Sequence, residues 1–166
     1  MKDVRNLVKE LPDLFGRDWA LLTAGTLENC NTMTIGWGQI GTLWGLPVAT
    51  VYVRPTRYTH DFIEKNDTFT ISFYPPEKHK TLTYLGTHSG RDCDKIALSG
   101  LTLVAAGKSV TFKEAVLTVV CKKIYRCQIA ASDIPAEIYS SEYENGEIPH
   151  TLYTGQIIDL IDGPIQ

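Results

Sequence analysis

The chain has 166 residues, of which 43% are hydrophobic and 21% charged. That is ordinary globular usage and argues against disorder, and the length suits one domain, 1–166, whose core needs no disulfide or metal staple. A net charge of −3 disfavours a nucleic-acid binder, and no apolar run reaches the length of a membrane span. Residues Met1 to Glu10 alternate charged and apolar types and lack the apolar centre of a signal peptide, so a cytoplasmic protein is expected.

In chain order, Asn6–Leu14 reads as a weak helix broken at Pro12. Trp19–Thr26 is a first strand, apolar with threonines, ending near Gly25. Thr32–Ile40 is a second stretch of strand type with three glycines about it. Pro47–Val53 (PVATVYV) is rich in β-branched residues and is the clearest strand. Thr56 is placed to N-cap a helix over Arg57–Lys65 whose buried stripe is Tyr58, Phe62 and Ile63. Thr68–Tyr74 (TFTISFY) alternates with period two and stops at Pro75-Pro76. Glu77–Leu85 is a short helix, Ser89–Asp92 a turn, and Cys93–Leu98 a further helical turn or two. Leu101–Ala105 and Ala115–Ala130 are β, the second long enough to be bent or bulged midway. Ile134–Glu144 is loop with a short helix, and Leu152–Ile161 is the last strand. Strands in a row with only short helices between them do not make βαβ units. They predict a β-dominated fold, an antiparallel barrel with helices at its ends.

Gly36-Trp37-Gly38-Gln39-Ile40-Gly41 matches the G-x-G-x-x-G spacing of dinucleotide sites. Those sites need a helix opening at the third glycine, and Gly45 and Pro47 forbid one here. The glycines therefore belong to a twisted or bulged strand. Cys30, Cys93, Cys121 and Cys127 show no CxxC spacing and read as reduced thiols. Arg91 and Lys95 flank Cys93, but no partner base is in view. His60, His79, His88 and His150 form no HExxH pair, so no metal site is expected; His150, just before the last strand, falls at a barrel mouth.

Three segments carry candidate binding chemistry. Arg54-Pro55-Thr56-Arg57-Tyr58-Thr59 sets two arginines at a helix start, where free N–H groups and a partial positive charge suit a phosphate. It is equally a capped helix with solvated arginines. Ser89-Gly90-Arg91-Asp92-Cys93-Asp94-Lys95 offers a hydroxyl, turn amides and an ammonium to an anion, unless Arg91 and Asp92 simply pair at the surface. Asn31-Thr32-Met33-Thr34-Ile35-Gly36-Trp37-Gly38 alternates polar and apolar groups that suit the edge and face of a planar heterocycle; a half-buried edge strand reads the same way.

Taken in order, NTMTIGWG, PVATVYVRPTRYT, FTISFY, LGTHSGRDCDK and SGL resemble the flavin reductase-like family, and within it the flavoredoxin-type members. The likeness runs from about Trp19 to Leu101, with a weaker echo in HTLYTGQIIDL. It implies a split antiparallel Greek-key β-barrel that binds FMN. It places Asn31, Thr32, Met33 and Thr34 along the flavin ring, with Thr32 at the N5 edge and Trp37 beside it. It assigns the ribityl and phosphate groups to Arg54, Thr56, Tyr58 and Thr59, and brings Ser89, Gly90 and Lys95 to the same cofactor, with His150 matched less securely. It also implies a homodimer and an oxidoreductase taking electrons from NAD(P)H or a redox partner protein. The alternatives are an electron carrier without turnover and a split barrel holding haem or another ligand.

Overall fold

The computed structural model describes residues 13–143 and 146–163. Among the described residues, nine strands and four whole α-helices follow in order: β1 (Ala20–Gly25), β2 (Cys30–Ile35), β3 (Gly38–Leu43), β4 (Leu46–Val53), α1 (Tyr58–Lys65), β5 (Thr68–Phe73), α2 (His79–Thr87), α3 (Lys95–Leu98), β6 (Leu103–Ala106), β7 (Ser109–Phe112), β8 (Leu117–Gln128), α4 (Ala136–Glu142) and β9 (Thr151–Asp162). Apart from its last two residues, the expected Asn6–Leu14 helix lies outside the described residues. Among the described residues, no helix is long and apolar enough to cross a membrane.

Seven strands form one sheet in the order β2-β1-β5-β8-β9-β4-β3, and β6 pairs with β7 alone. Every ladder is antiparallel. The sheet curls into a barrel, because its far ends feed one core: Met33 and Ile35 of β2 share a cluster with Ala49, Val51 and Val53 of β4. β2 and β3 themselves form no ladder, and that seam splits the barrel.

The side-chain periods explain the layers. In β5, Phe69, Ile71 and Phe73 enter the barrel core. The alternate hydroxyls turn outward, where Thr70 donates to the Val110 carbonyl (2.6 Å) and Ser72 bonds Thr111 (2.7 Å). The β6–β7 hairpin thus covers a polar face, which satisfies the rule that buried hydroxyls need partners. β1 is buried throughout because both its faces are covered: Leu22 lies in the barrel, and Leu21 packs with Leu82, Leu85 and Phe112 outside it. The bend expected in the long strand is present as register shifts at Val120/Cys121 and Lys123/Tyr125 of β8.

Two expectations change. The stretch Thr32–Ile40 is two strands, since the chain leaves β2 at Gly36 and Trp37 and re-enters the far side of the sheet as β3. The β3–β4 hairpin turns on Trp44 and Gly45, both at positive φ (53° and 74°), as a two-residue hairpin loop requires. The β7 strand has no counterpart in the sequence reading, because four residues are too few to show a period.

Candidate functional site

Two cavities meet at the split side of the barrel. One, of about 200 Å³, lies among β2, the start of α1 and the Ser89 turn. The other, of about 140 Å³, lies at the β2–β3 seam. Met33, Arg54 and Arg57 line both.

The first cavity is built to be cationic. Lys95, only 4% exposed, opens α3, and its ammonium donates to the carbonyls of Leu85 (2.8 Å) and His88 (2.9 Å). Arg57 donates to the Gly86 carbonyl (3.1 Å). Both cations therefore sit on the C-terminal carbonyls of α2, the negative end of its dipole. Neither forms an ion pair with a carboxylate among the described residues. A lysine has three donors, so Lys95 keeps one to spare. Burial, then the nearby Arg57 charge, pulls its pKa down to about 8. An anion in this cavity would oppose both effects.

The Ser89 turn is fastened to α1. Arg91 donates to the Thr56 carbonyl (3.0 Å) and pairs with Asp61 (2.8 Å), while its guanidinium lies over the Tyr58 ring, 4.7 Å from the centroid. The alternative pairing of Arg91 with Asp92 is thus replaced by a clamp across two segments. The Ser89 hydroxyl accepts the Arg91 amide (3.2 Å). Gly90 has to be glycine: a Cβ there would lie 2.2 Å from Asn31 Oδ1. Asn31, itself buried, donates to Thr59 (2.7 Å) and ties β2 to the same helix. Thr56 does not cap α1. Arg57 is the N-cap residue, in an extended conformation, and its side chain makes no cap bond. Thr56 sits one residue too early for the capping position, yet it still lines the cavity.

The second cavity is lined by Met33, Thr34, Ile35, Gly36, Trp37, Tyr52 and His150, besides the two arginines. Trp37 is 41% exposed, and its ring leans over His150 at 4.7 Å between centroids. Thr34 donates its hydroxyl to the Leu82 carbonyl (2.5 Å). Burial, Arg54 and Arg57 together hold the His150 imidazole down to about 4. Arg54 differs from Arg57: it is paired with Glu147, donates to the Glu142 carbonyl (3.1 Å) and lies over Tyr143.

The structure brings the residues singled out in the sequence together around the two cavities, with one exception. Asn31, Met33, Arg54, Thr56, Tyr58, Thr59, Ser89, Gly90 and Lys95 line the first cavity, and Thr34, Trp37 and His150 the second. Thr32 lines neither. It is fully buried and donates to the Leu22 carbonyl (3.1 Å) beside Thr23 (2.9 Å). The period-two pattern puts Thr32 on the opposite face from Asn31 and Met33, so its hydroxyl is not available to a ring. Sequence reasoning placed Arg57 in the arginine pair without assigning it to the cofactor, and it left out Gly86 and Tyr52. Arg57 was visible as the second arginine of the pair, whereas Gly86 contributes a carbonyl and has no side chain to signal it.

Among the described residues, no group of three or more His, Cys, Asp or Glu is placed to hold a metal. All four cysteines are free, and burial pushes the thiols of Cys30 and Cys121 up to about 11 and about 12.

A family model, the flavin reductase like domain, matches residues 13–163. Solved structures share the fold. The flavoredoxin of Methanosarcina acetivorans is 22% identical, with 87% of this chain and 68% of that chain covered at a TM-score of 0.70. An FMN-binding protein of Thermus thermophilus is 21% identical, with 87% and 69% covered at 0.67. Nitrilotriacetate monooxygenase component B of Bacillus cereus is 14% identical, with 98% and 78% covered at 0.70. No curated protein matches the chain. With nearly its whole described length matched by the family model, the chain belongs to the flavin reductase like domain family.

Proposed function

We propose that the protein is an FMN-dependent oxidoreductase, passing electrons from NAD(P)H or a redox protein to an acceptor. The observation that carries this reading is the pair Arg57 and Lys95, two cations held by carbonyls alone, beside a Ser-Gly turn and open to a cavity with aromatic walls. A phosphate monoester suits the first and a planar ring the second. The structural neighbours named as FMN-binding protein and flavoredoxin support the same choice.

The first cavity's residues fit the phosphate end: Arg57 and Lys95 supply charge, Ser89 and Gly90 the turn, and Thr56, Tyr58 and Thr59 the helix start. Met33, Thr34, Trp37 and His150 fit the ring. FMN supplies hydride and single-electron chemistry when bound, so no protein acid or base has to carry the reaction. The chain's work is to anchor the phosphate, hold the ring's orientation and keep water from one face with Met33 and Trp37. The same reading takes the protein as a cytoplasmic homodimer. Exposed Trp44, Ile158 and Leu160 support an association surface.

Titration of flavin-free protein with FMN, followed by flavin fluorescence, tests the reading; absence of binding refutes it. Mixing the loaded protein with NADH or NADPH then separates two activities. Nicotinamide oxidation marks a reductase. Bound flavin without that oxidation marks an electron carrier, the role favoured by the flavoredoxin neighbours.

A further inference from the structure

His150 is held with more care than a cavity-lining residue needs. Its main chain is clamped by Gln128, whose amide donates to the carbonyls of Pro149 (2.7 Å) and His150 (3.3 Å). The Ile129 amide donates to the same His150 carbonyl (3.2 Å). The next residue, Thr151, donates its hydroxyl to Gln128 Oε1 (2.8 Å). That hydroxyl proton is then spent, so His60 Nε2, 3.3 Å away, carries the proton it shares with Thr151. The imidazole itself lies 2.8 Å, Nδ1 to oxygen, from the hydroxyl of Tyr143. Tyr143 is 5% exposed and follows α4, with the Arg54 guanidinium above its ring.

The Tyr143–His150 bond has two possible directions. If Nδ1–H donates, the buried tyrosine proton has no acceptor among the described residues, at a cost of about 1–3 kcal/mol. If the tyrosine donates, both groups are satisfied and the remaining proton sits on Nε2. Nε2 has no bond among the described residues, nor is it among the buried polar atoms left without a partner. It therefore reaches open space, in the cavity that His150 shares with Trp37 and Met33.

We propose that Tyr143 is a positioning residue: its hydroxyl donates to His150 Nδ1 and fixes the Nε2–H tautomer, which presents an N–H donor to a carbonyl or imine acceptor of the planar heterocycle in the seam cavity. The heterocycle part rests on the flavin reading above; the tautomer part stands on this chain's geometry alone. The imidazole is neutral near pH 7 because burial and the two arginines oppose its charge, so it acts as a directed dipole rather than as a cation. Nδ1 is taken, and rotating the ring would break the contacts with Tyr143 and Trp37 together.

The test is nitrogen-15 NMR of the flavin-free protein, with the His150 signals assigned by His150→Gln. The expected result is a protonated Nε2 and an unprotonated Nδ1 in the parent chain, and a mixture of tautomers in Tyr143→Phe. A protonated Nδ1, or the same single tautomer in Tyr143→Phe, overturns the assignment. In FMN titrations Tyr143→Phe should bind roughly threefold to tenfold more weakly, the range of one net hydrogen bond. Equal affinity overturns the donor role. A parent chain that keeps the Nε2–H tautomer yet takes up no FMN overturns the flavin reading and not the tautomer.

Discussion

The two cavities are neighbours that share three residues, yet they are built on opposite electrostatic plans. In the first, Arg57 and Lys95 rest on main-chain carbonyls, and their charge is left for a ligand. In the seam cavity, Arg54 is matched by Glu147, and His150 is kept neutral. One end attracts by charge and the other selects by shape and hydrogen-bond direction. A ligand with a dianionic end and an uncharged flat end fits that polarity, and the comparison can be broken at either end.

The largest effect is expected from Lys95→Met. It removes a buried cation and leaves the Leu85 and His88 carbonyls without their donor. FMN affinity should fall about tenfold to a hundredfold, from loss of a charged hydrogen bond worth roughly 1.5–3 kcal/mol. Urea unfolding should show a loss of stability of about 1–3 kcal/mol for the stranded carbonyls. An affinity within twofold of the parent would remove Lys95 from the anion site.

The arginines should separate next. Arg57→Gln should weaken FMN about tenfold, as for one charge-assisted contact, and Arg54→Gln should do less, because Glu147 already holds that guanidinium. Titration of both variants checks the order. If Arg54→Gln is the more damaging, the contrast between the cavities is wrong.

Acidity gives a smaller and signed effect at each end. Lys95 has its pKa lowered to about 8, so it discharges as pH rises above that value, and FMN binding should weaken between pH 8 and pH 10. The slope should vanish in Lys95→Met. His150 is the reverse case for stability. Its folded pKa, about 4, lies below its ordinary 6.5, so the unfolded chain binds more protons between these values. Stability should be full above pH 6.5 and fall as pH drops toward 4, with a flatter profile in His150→Gln.

The smallest effect on the cofactor is expected at Thr32. Thr32→Val should cost about 1 kcal/mol of stability, from the lost bond to the Leu22 carbonyl. It should leave the FMN midpoint potential unchanged, as spectroelectrochemistry would show. A shifted potential would mean that the β2 face has been read the wrong way round.

Thr32 also marks the limit of what the sequence disclosed. Alternation in Thr68–Tyr74 and β-branched residues in Pro47–Val53 announced strands, because each has one consistent environment along its length. The order of the strands around the barrel, and which face of β2 meets the cavity, depend on long-range ladders that no local period records. The Ser89 turn and the arginine pair were legible because their residue types are unusual for plain surface. Carbonyl acceptors such as those of Leu85 and Gly86 were not, since every residue has one. Arg91 was visible, but its partner Asp61 lies thirty positions away in another segment.

The seam between β2 and β3 has a consequence for how this cavity tolerates change. β2 is paired on one side only, with β1, so alternate peptide groups along its outer border point away from the sheet. Such main-chain donors and acceptors survive any replacement except proline. Recognition of a heterocycle's rim along that border would withstand extensive drift in the side chains around it.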